Sequence, residues 1–439
     1  MEFLVREEDC RAAIQSYLGS NNFILEDYKV KPAGSKHVGF MGRHYILTAA
    51  VHHAGELNET HMFVKLPPIT VAHRNLVLEL KLLQREYTVY SYLVPLLKSS
   101  LPPSTKLPIP KCFLLRDTVH PDAFPAPGSE DEEIIILEDV TRLGFKPLQK
   151  CPLLDLPHCR VVMKTLAKFH AASILYEHTM AEDDRKSRDS PDSEAKEERS
   201  NRNLPFLDDL WEFEAAETVV APCVVSVATA AAEIWPERFF GERETVSETL
   251  REAWQAMRRD FSEHPRVMCH GDLWANNLMF AYDGQDPTIP VDCLMVDLQK
   301  VSYCPPVTDI LLFLHSSTTR QFRDENAESL LDYYHYKLGE IVGTELLDEV
   351  LPLSAFLQSY ADLRMLGLVL STAYLPVILE ENDDLLSRGK LSLDPLDVKE
   401  TILKDRGERI ASNCKASKAY AERIMECFQE CFESLGLWD

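Results

Sequence analysis

The stretch Met268–Phe280, M-C-H-G-D-L-W-A-N-N-L-M-F, decides how the rest of the chain is read. It sets His270, Asp272 and Asn277 in the order H-x-D-x-x-x-x-N, with Val267-Met268 ahead of the polar residues and Leu278-Met279-Phe280 behind them. Apolar runs of that length suit short buried strands, and a polar loop slung between two of them is held rigidly. In such a loop a carboxylate can take a proton from a hydroxyl, and an amide can reach a metal ion. A second acid, Asp297, closes the apolar run Cys293-Leu294-Met295-Val296, where a carboxylate can ligate Mg²⁺. The same string also arises by chance as a loop with polar caps, so the rest of the chain must supply the other parts.

The spacing is that of a phosphoryl-transfer loop. There the Asp receives the proton of the attacking hydroxyl, while the Asn and a later Asp hold the metal ion. A strand lysine, oriented by a helix glutamate, reaches the ATP phosphates. Upstream, Phe23–Pro32 and Arg43–His52 read as strands around Gly34-Ser-Lys-His-Val-Gly39-Phe-Met-Gly42. Glycines there, Gly39 and Gly42 among them, let backbone N–H groups approach a phosphate, although the spacing equally suits a plain hairpin. His61–Leu66 is a third strand with Lys65 in mid-run, either an edge lysine facing solvent or the phosphate-binding one. A long helix is expected over Asn75–Val94, with Leu76, Leu80, Leu83, Tyr87 and Tyr90 at helical spacing and Glu86 on it. Alone, Glu86 would be solvated; after Lys65 it stands in the order of the orienting ion pair.

Pro108–Leu115 and Glu133–Leu137 add two strands, joined by a Pro/Gly/acid-rich loop that includes Pro121–Glu132. Ile134–Val140, I-I-I-L-E-D-V, turns from buried strand to polar linker, as a hinge should, with the backbone near Glu138 and Val140 available to an adenine edge. Residues 1–139 therefore read as a small nucleotide-binding lobe and 140–439 as a large helical one.

A chain of 439 residues is long enough for two cores, and its 45% hydrophobic and 26% charged content is that of a globular protein. A net charge of −24 opposes nucleic-acid binding and anchoring on anionic membrane. Eleven cysteines without a C-x-x-C pair indicate reduced thiols. The N-terminus carries acids where a signal peptide needs a basic start, and Met365–Leu379 is too short to span a bilayer, so the cytoplasm is the expected compartment and a monomer the expected state.

Glu7–Leu18 reads as an amphipathic helix with Ala13, Ile14, Tyr17 and Leu18 as its apolar contacts. Past the hinge the pattern is helical: Leu156–Glu177 with His170 as a packed histidine, Leu204–Ser262, Ser329–Ile341, Leu346–Ala373 and Ser417–Leu435. The charge-rich run Met180–Asn203 reads as an exposed, mobile insertion. Asp309 opens the helix after Asp297, as a cap, as a brace for the catalytic-loop backbone, or as both.

With these parts in order, the chain resembles the ecdysteroid-kinase-like family, the CHK-like kinase group that is kin to aminoglycoside phosphotransferases and choline kinases. G-F-M-G-R-H-Y, F-V-K-L-P-P, R-E-Y-T-V-Y-S-Y-L-V-P, L-E-D-V-T-R-L-G-F, L-A-K-F-H-A-A-S, H-G-D-L-W-A-N-N and P-P-V-T-D-I-L-L-F-L-H-S-S carry the likeness over nearly the whole length. Leu298 stands where the family often has Phe, and Lys36-His37 lie in a glycine-loop region usually richer in Ser and Asn.

The resemblance implies an α+β, bilobal protein-kinase-like fold, with a small five-stranded antiparallel sheet and one long helix beside a large, mostly helical lobe. It further implies transfer of the ATP γ-phosphate, with Mg²⁺, to a hydroxyl of an ecdysteroid or similar apolar alcohol. Asp272, with Asn277 and His270, is implied as catalytic, Asn277 and Asp297 as metal ligands, and Lys65, Glu86, Gly39, Gly42, Glu138 and Val140 as the nucleotide site. A kinase for choline, another amino-alcohol or a hydroxylated xenobiotic is the alternative, and a catalytically idle nucleotide- or ligand-binding relative is the rival of another class. The walls of the acceptor pocket are expected from Leu204–Phe240 and Ala361–Leu379.

Overall fold

The computed structural model describes residues 5–33, 42–68, 71–116, 132–148, 152–188, 213–257, 261–382 and 405–438. Helix α1 (Glu7–Leu18) stops on Gly19, whose φ of 63° is the left-handed value a residue without Cβ adopts freely. Its buried side chains are Asp9, Cys10, Ala13 and Ile14; Tyr17, expected to pack, is instead largely exposed and meets Phe113 edge-on.

Strands β1 (Phe23–Pro32), β2 (Arg43–His53), β3 (Glu56–Leu66), β4 (Cys112–Arg116) and β5 (Ile134–Glu138) form one sheet in the order β1-β2-β3-β5-β4. All four pairings are antiparallel. β3 starts well before His61 because its first residues are an exposed hairpin arm, too polar to read as strand. Ala54 and Gly55 close that hairpin with positive φ at both positions, the turn that matches strand twist. β4 is shorter than expected: Pro108 and Pro110 have no N–H to donate, and the Pro108 carbonyl accepts from Met295 N–H instead.

The long helix expected over Asn75–Val94 is broken into pieces. α2 (Val71–Glu79) ends before Lys81, which takes φ 51°, and α3 (Leu82–Thr88) restarts with Leu82, Leu83 and Glu86 turned inward. A π-helical turn, Val89–Leu93, then leads into α4 (Val94–Ser100). Pro95 accounts for the widening, since it cannot donate and its ring crowds the carbonyl one turn back.

The large lobe opens with Val140–Leu143, a 3₁₀ turn, followed by β6 (Lys146–Pro147) and α5 (Leu156–Arg188). α5 therefore continues into the charge-rich run as far as Arg188, and the remainder of that run lies outside the described residues, as do 204–212. Three helices come next: α6 (Phe213–Ile234), α7 (Pro236–Phe239) and α8 (Arg243–Met257). The stretch Met268–Phe280 runs from β7 (Val267–Cys269) into β8 (Leu278–Tyr282), and Asp297 follows β9 (Pro290–Met295). β6, β8 and β9 make one small sheet, and β10 (Ser302–Cys304) pairs with β7 in another.

The remaining helices are α9 (Val307–Ser317), α10 (Arg320–Val342), α11 (Thr344–Val350), α12 (Leu353–Asp362), α13 (Arg364–Asn382), α14 (Gly407–Ala416) and α15 (Lys418–Ser434). Leu346–Ala373 is thus not one helix; Pro352 opens α12, and Leu363 separates it from α13. Among the described residues no single helix is long and apolar enough to cross a membrane.

Among the described residues three large apolar clusters fill this frame, beside a small one of Val77, Leu82 and Leu83. One lies between the large sheet and α1. A second joins Val89, Tyr90, Leu93 and Leu97 to Leu166 and Phe169 of α5 and to Ile310 and Phe313 of α9. A third gathers α6, α8, α13, α14 and α15. Leu273 belongs to the second and Ala275 to the third, so the loop between β7 and β8 sits where these two cores meet. The fold is α+β, with an antiparallel five-stranded sheet in the N-terminal part and a helical C-terminal part, as in kinase-like bilobal proteins.

Candidate active site

β3 carries Lys65 in register with His44 and Ile135 and turns its side chain away from solvent. Its Nζ lies 2.5 Å from Glu86 Oε2 on α3 and 2.6 Å from Asp297 Oδ1. One ammonium thus serves two carboxylates. Burial pulls the Lys65 pKa down, but Asp297 and Glu86 outweigh it and the net shift is upward. Burial raises Glu86, helped by the nearby Asp297 charge and only partly offset by Lys65. At Asp297 burial also pushes up, yet the contact with Lys65 wins and the pKa is lowered. The trio keeps surplus negative charge at Asp297, the group the sequence offers to a divalent cation. Asp297 also holds φ 67°, a left-handed backbone uncommon outside glycine and often found at functional positions.

Asp272 lies on the loop after β7. Its Oδ2 is 3.2 Å from Asn277 Nδ2, which also donates to the Asp272 carbonyl at 2.8 Å. With Nδ2 spent on Asp272, the amide oxygen Oδ1 is the atom of the Asn277 side chain that can serve as a ligand. Val296 N–H donates to the Asn277 carbonyl, tying the two acidic loops together. Asn277 and Asp297 therefore offer hard oxygen donors of the kind Mg²⁺ takes, and the residues fit that ion.

His270 is fully buried, and its ring serves the backbone. Nδ1 accepts from Asp272 N–H at 3.3 Å, and Nε2 donates to the Val296 carbonyl at 2.9 Å. The sequence counts it among the catalytic groups; the contacts the structure gives it tie the backbone of the two acidic loops together. Asp309 braces the same loop: its carboxylate accepts from the N–H groups of His270 (2.6 Å) and Gly271 (2.9 Å). His170, buried on α5, joins Asp309 through Nε2 at 3.2 Å and Tyr334 through Nδ1 at 2.7 Å. Burial raises the Asp309 pKa, but the contacts with His170 and the loop more than reverse it.

The residues expected to face a nucleotide are described in part. Gly39 lies outside the described residues. Gly42 abuts β3, where a Cβ would come within 3.1 Å of the Leu66 carbonyl and 3.8 Å of Lys65 Cε. The backbone of Glu138 is less available than the sequence suggests: its N–H donates to the Lys111 carbonyl at 2.8 Å. Val140 opens a 3₁₀ turn, so its own N–H has no partner within that turn.

Sequence reasoning missed two residues. Lys300 Nζ bonds Asp272 Oδ1 at 2.8 Å and stands 5.2 Å from the centre of the Tyr374 ring on α13. Gly271 makes the approach possible. It holds φ 76°, and a Cβ there would lie 2.0 Å from the Lys300 carbonyl oxygen. A lone lysine after D-L-Q and a tyrosine within an apolar helix carry no spacing signal.

Among curated proteins the chain finds no match. The profile of the Ecdysteroid kinase-like family matches residues 36–344, a span that runs from the glycine-rich stretch of sequence through the loop between β7 and β8 to the start of α11. That span covers well over half of the sequence, and the chain belongs to the Ecdysteroid kinase-like family.

Proposed function

We propose that this kinase-like protein transfers the γ-phosphoryl group of ATP to a hydroxyl of a small apolar alcohol, an ecdysteroid or a molecule of that kind. The observation that carries the reading is the convergence of Lys65, Glu86 and Asp297 in one ion cluster, tied by Val296 to the loop holding Asp272 and Asn277.

Asp272 orients the acceptor hydroxyl and takes its proton as the new O–P bond forms and the bond to the β–γ bridging oxygen breaks, releasing ADP. Lys65, held by Glu86, faces the α- and β-phosphates. Asn277 and Asp297 would hold Mg²⁺, whose charge, when bound, offsets that of the phosphates. The Val140 N–H and the hinge before it receive the adenine, between a small lobe ending near residue 139 and the helical remainder. His270 and Asp309 keep the loop in place.

The acceptor side is framed by α6 and α13. Tyr374 on α13 and Cys223 on α6 both lie close enough to Lys300 to feel its charge. Walls of that kind reward an apolar ligand at roughly 25 cal/mol per Å² buried, with no ionic partner required.

The test is incubation of the full chain with Mg-ATP and a panel of steroid alcohols, amino-alcohols and choline, with the phosphorylated product identified by mass spectrometry. Phosphate on a steroid alcohol supports the reading. Tight steroid binding without any transfer would mark an idle relative.

A further inference from the structure

We infer that Lys300 sets the charge of the acceptor: the site takes an uncharged or anionic alcohol and refuses a cationic one. The inference rests on the phosphotransferase reading above and adds to it the residue that selects the substrate class.

A site for an amino-alcohol needs a carboxylate or an open aromatic face for the ammonium group. Both are present beside the reacting position, and Lys300 occupies both. Its Nζ is 2.8 Å from Asp272 Oδ1, and the same nitrogen lies over the Tyr374 ring at 5.2 Å. The lysine side chain is 39% exposed and that of Asp272 is 21% exposed, so the pair is reached from solvent.

Lys300 also remains charged. Burial lowers its pKa, but Asp272 and the Tyr374 phenol raise it further, and the net shift is upward. The backbone of Lys300 is held against Gly271, where only a residue without Cβ leaves room for its carbonyl. The net charge of −24 gives the chain an overall field that draws cations in, so what refuses them must be local. Lys300 thus holds, at the place where the acceptor must bind, the carboxylate and the ring that a cationic group would need.

The experiment compares the full-length wild type, Lys300→Met and Lys300→Arg, each with Mg-ATP and a matched pair of acceptors. The pair is a hydroxylated sterol and the same sterol bearing a dimethylamino group, with choline as a third acceptor. Wild type and Lys300→Arg are expected to favour the neutral sterol in kcat/KM by at least about tenfold, the scale of one like-charge contact. Lys300→Met should bring the ratio close to unity while the KM for Mg-ATP stays near its wild-type value.

A wild-type ratio near one or in favour of the amine overturns the inference, and so does a Lys300→Met ratio equal to that of the wild type. If Lys300→Met does not fold by thermal unfolding, the wild-type and Lys300→Arg ratios decide, since both must show the preference. Wild type that phosphorylates no acceptor sinks the phosphotransferase reading and the inference with it; active wild type with an unaltered ratio sinks the inference alone.

Discussion

Asp272 sits between an amide and an ammonium, so its carboxylate is fixed before any substrate arrives. Asp272→Ala should lower kcat by about 10²–10⁴, the usual worth of a positioned base, with Mg-ATP binding by calorimetry largely retained. Asp309 offers a second test, this time of stability. Its folded pKa lies below the unfolded value of about 3.9, so its contribution is complete above that pH and is lost as pH falls through the lower folded value. Asp309→Asn should therefore unfold more easily at neutral pH, by roughly 1–3 kcal/mol, and lose less of its stability on acidification than wild type does. Paired denaturant titrations at neutral pH and below pH ~4 check both halves of that expectation. The five polar positions of the cleft were legible in the sequence because each belongs to a spaced pattern. Lys300 was not, because its role depends on how closely its own carbonyl approaches Gly271, and no pattern of residue types records such a distance.

At the scale of elements, periodicity located the helices and missed their interruptions. The run Asn75–Val94 has helical spacing throughout, yet Lys81 takes a left-handed conformation and Pro95 forces a wider turn, so that Glu86 sits on a separate short helix. Strand ends were obscured for a related reason: the exposed arm of β3 is polar, and the prolines before β4 cannot join a ladder. One support of this region was invisible in the sequence. Glu132, at the end of the loop before β5, is buried between Arg43 of β2 and Arg74 of α2 and accepts from both. The same two arginines donate through Nε to the carbonyls of Pro67 (2.7 Å) and Pro68 (2.6 Å), just beyond Lys65. Glu132→Ala would leave two buried guanidinium groups without their shared acid and should cost about 3–5 kcal/mol, read by chemical denaturation. Because the damage falls beside Lys65, the KM for Mg-ATP should rise in the same variant.

Over the whole molecule, the lobe boundary expected near residue 139 does not coincide with a division between cores. Val89, Tyr90, Leu93 and Leu97 precede the hinge in sequence, yet they pack in the same cluster as Leu166 and Phe169 beyond it. Side chains of this kind are each worth roughly 1.5–3 kcal/mol when buried. A fragment ending at residue 139 should consequently fail to yield a soluble folded domain, and the intact chain should melt in one calorimetric transition rather than two. Sequence reading put the boundary at the polar linker because composition changes there; it could not show that an earlier helix had already crossed over. A root of this kind also limits how the cleft can open. If the sheet bearing Lys65 pivots, Val89, Tyr90, Leu93 and Leu97 remain seated in the other half, so movement is expected at the rim of the proposed cleft while its floor keeps its shape.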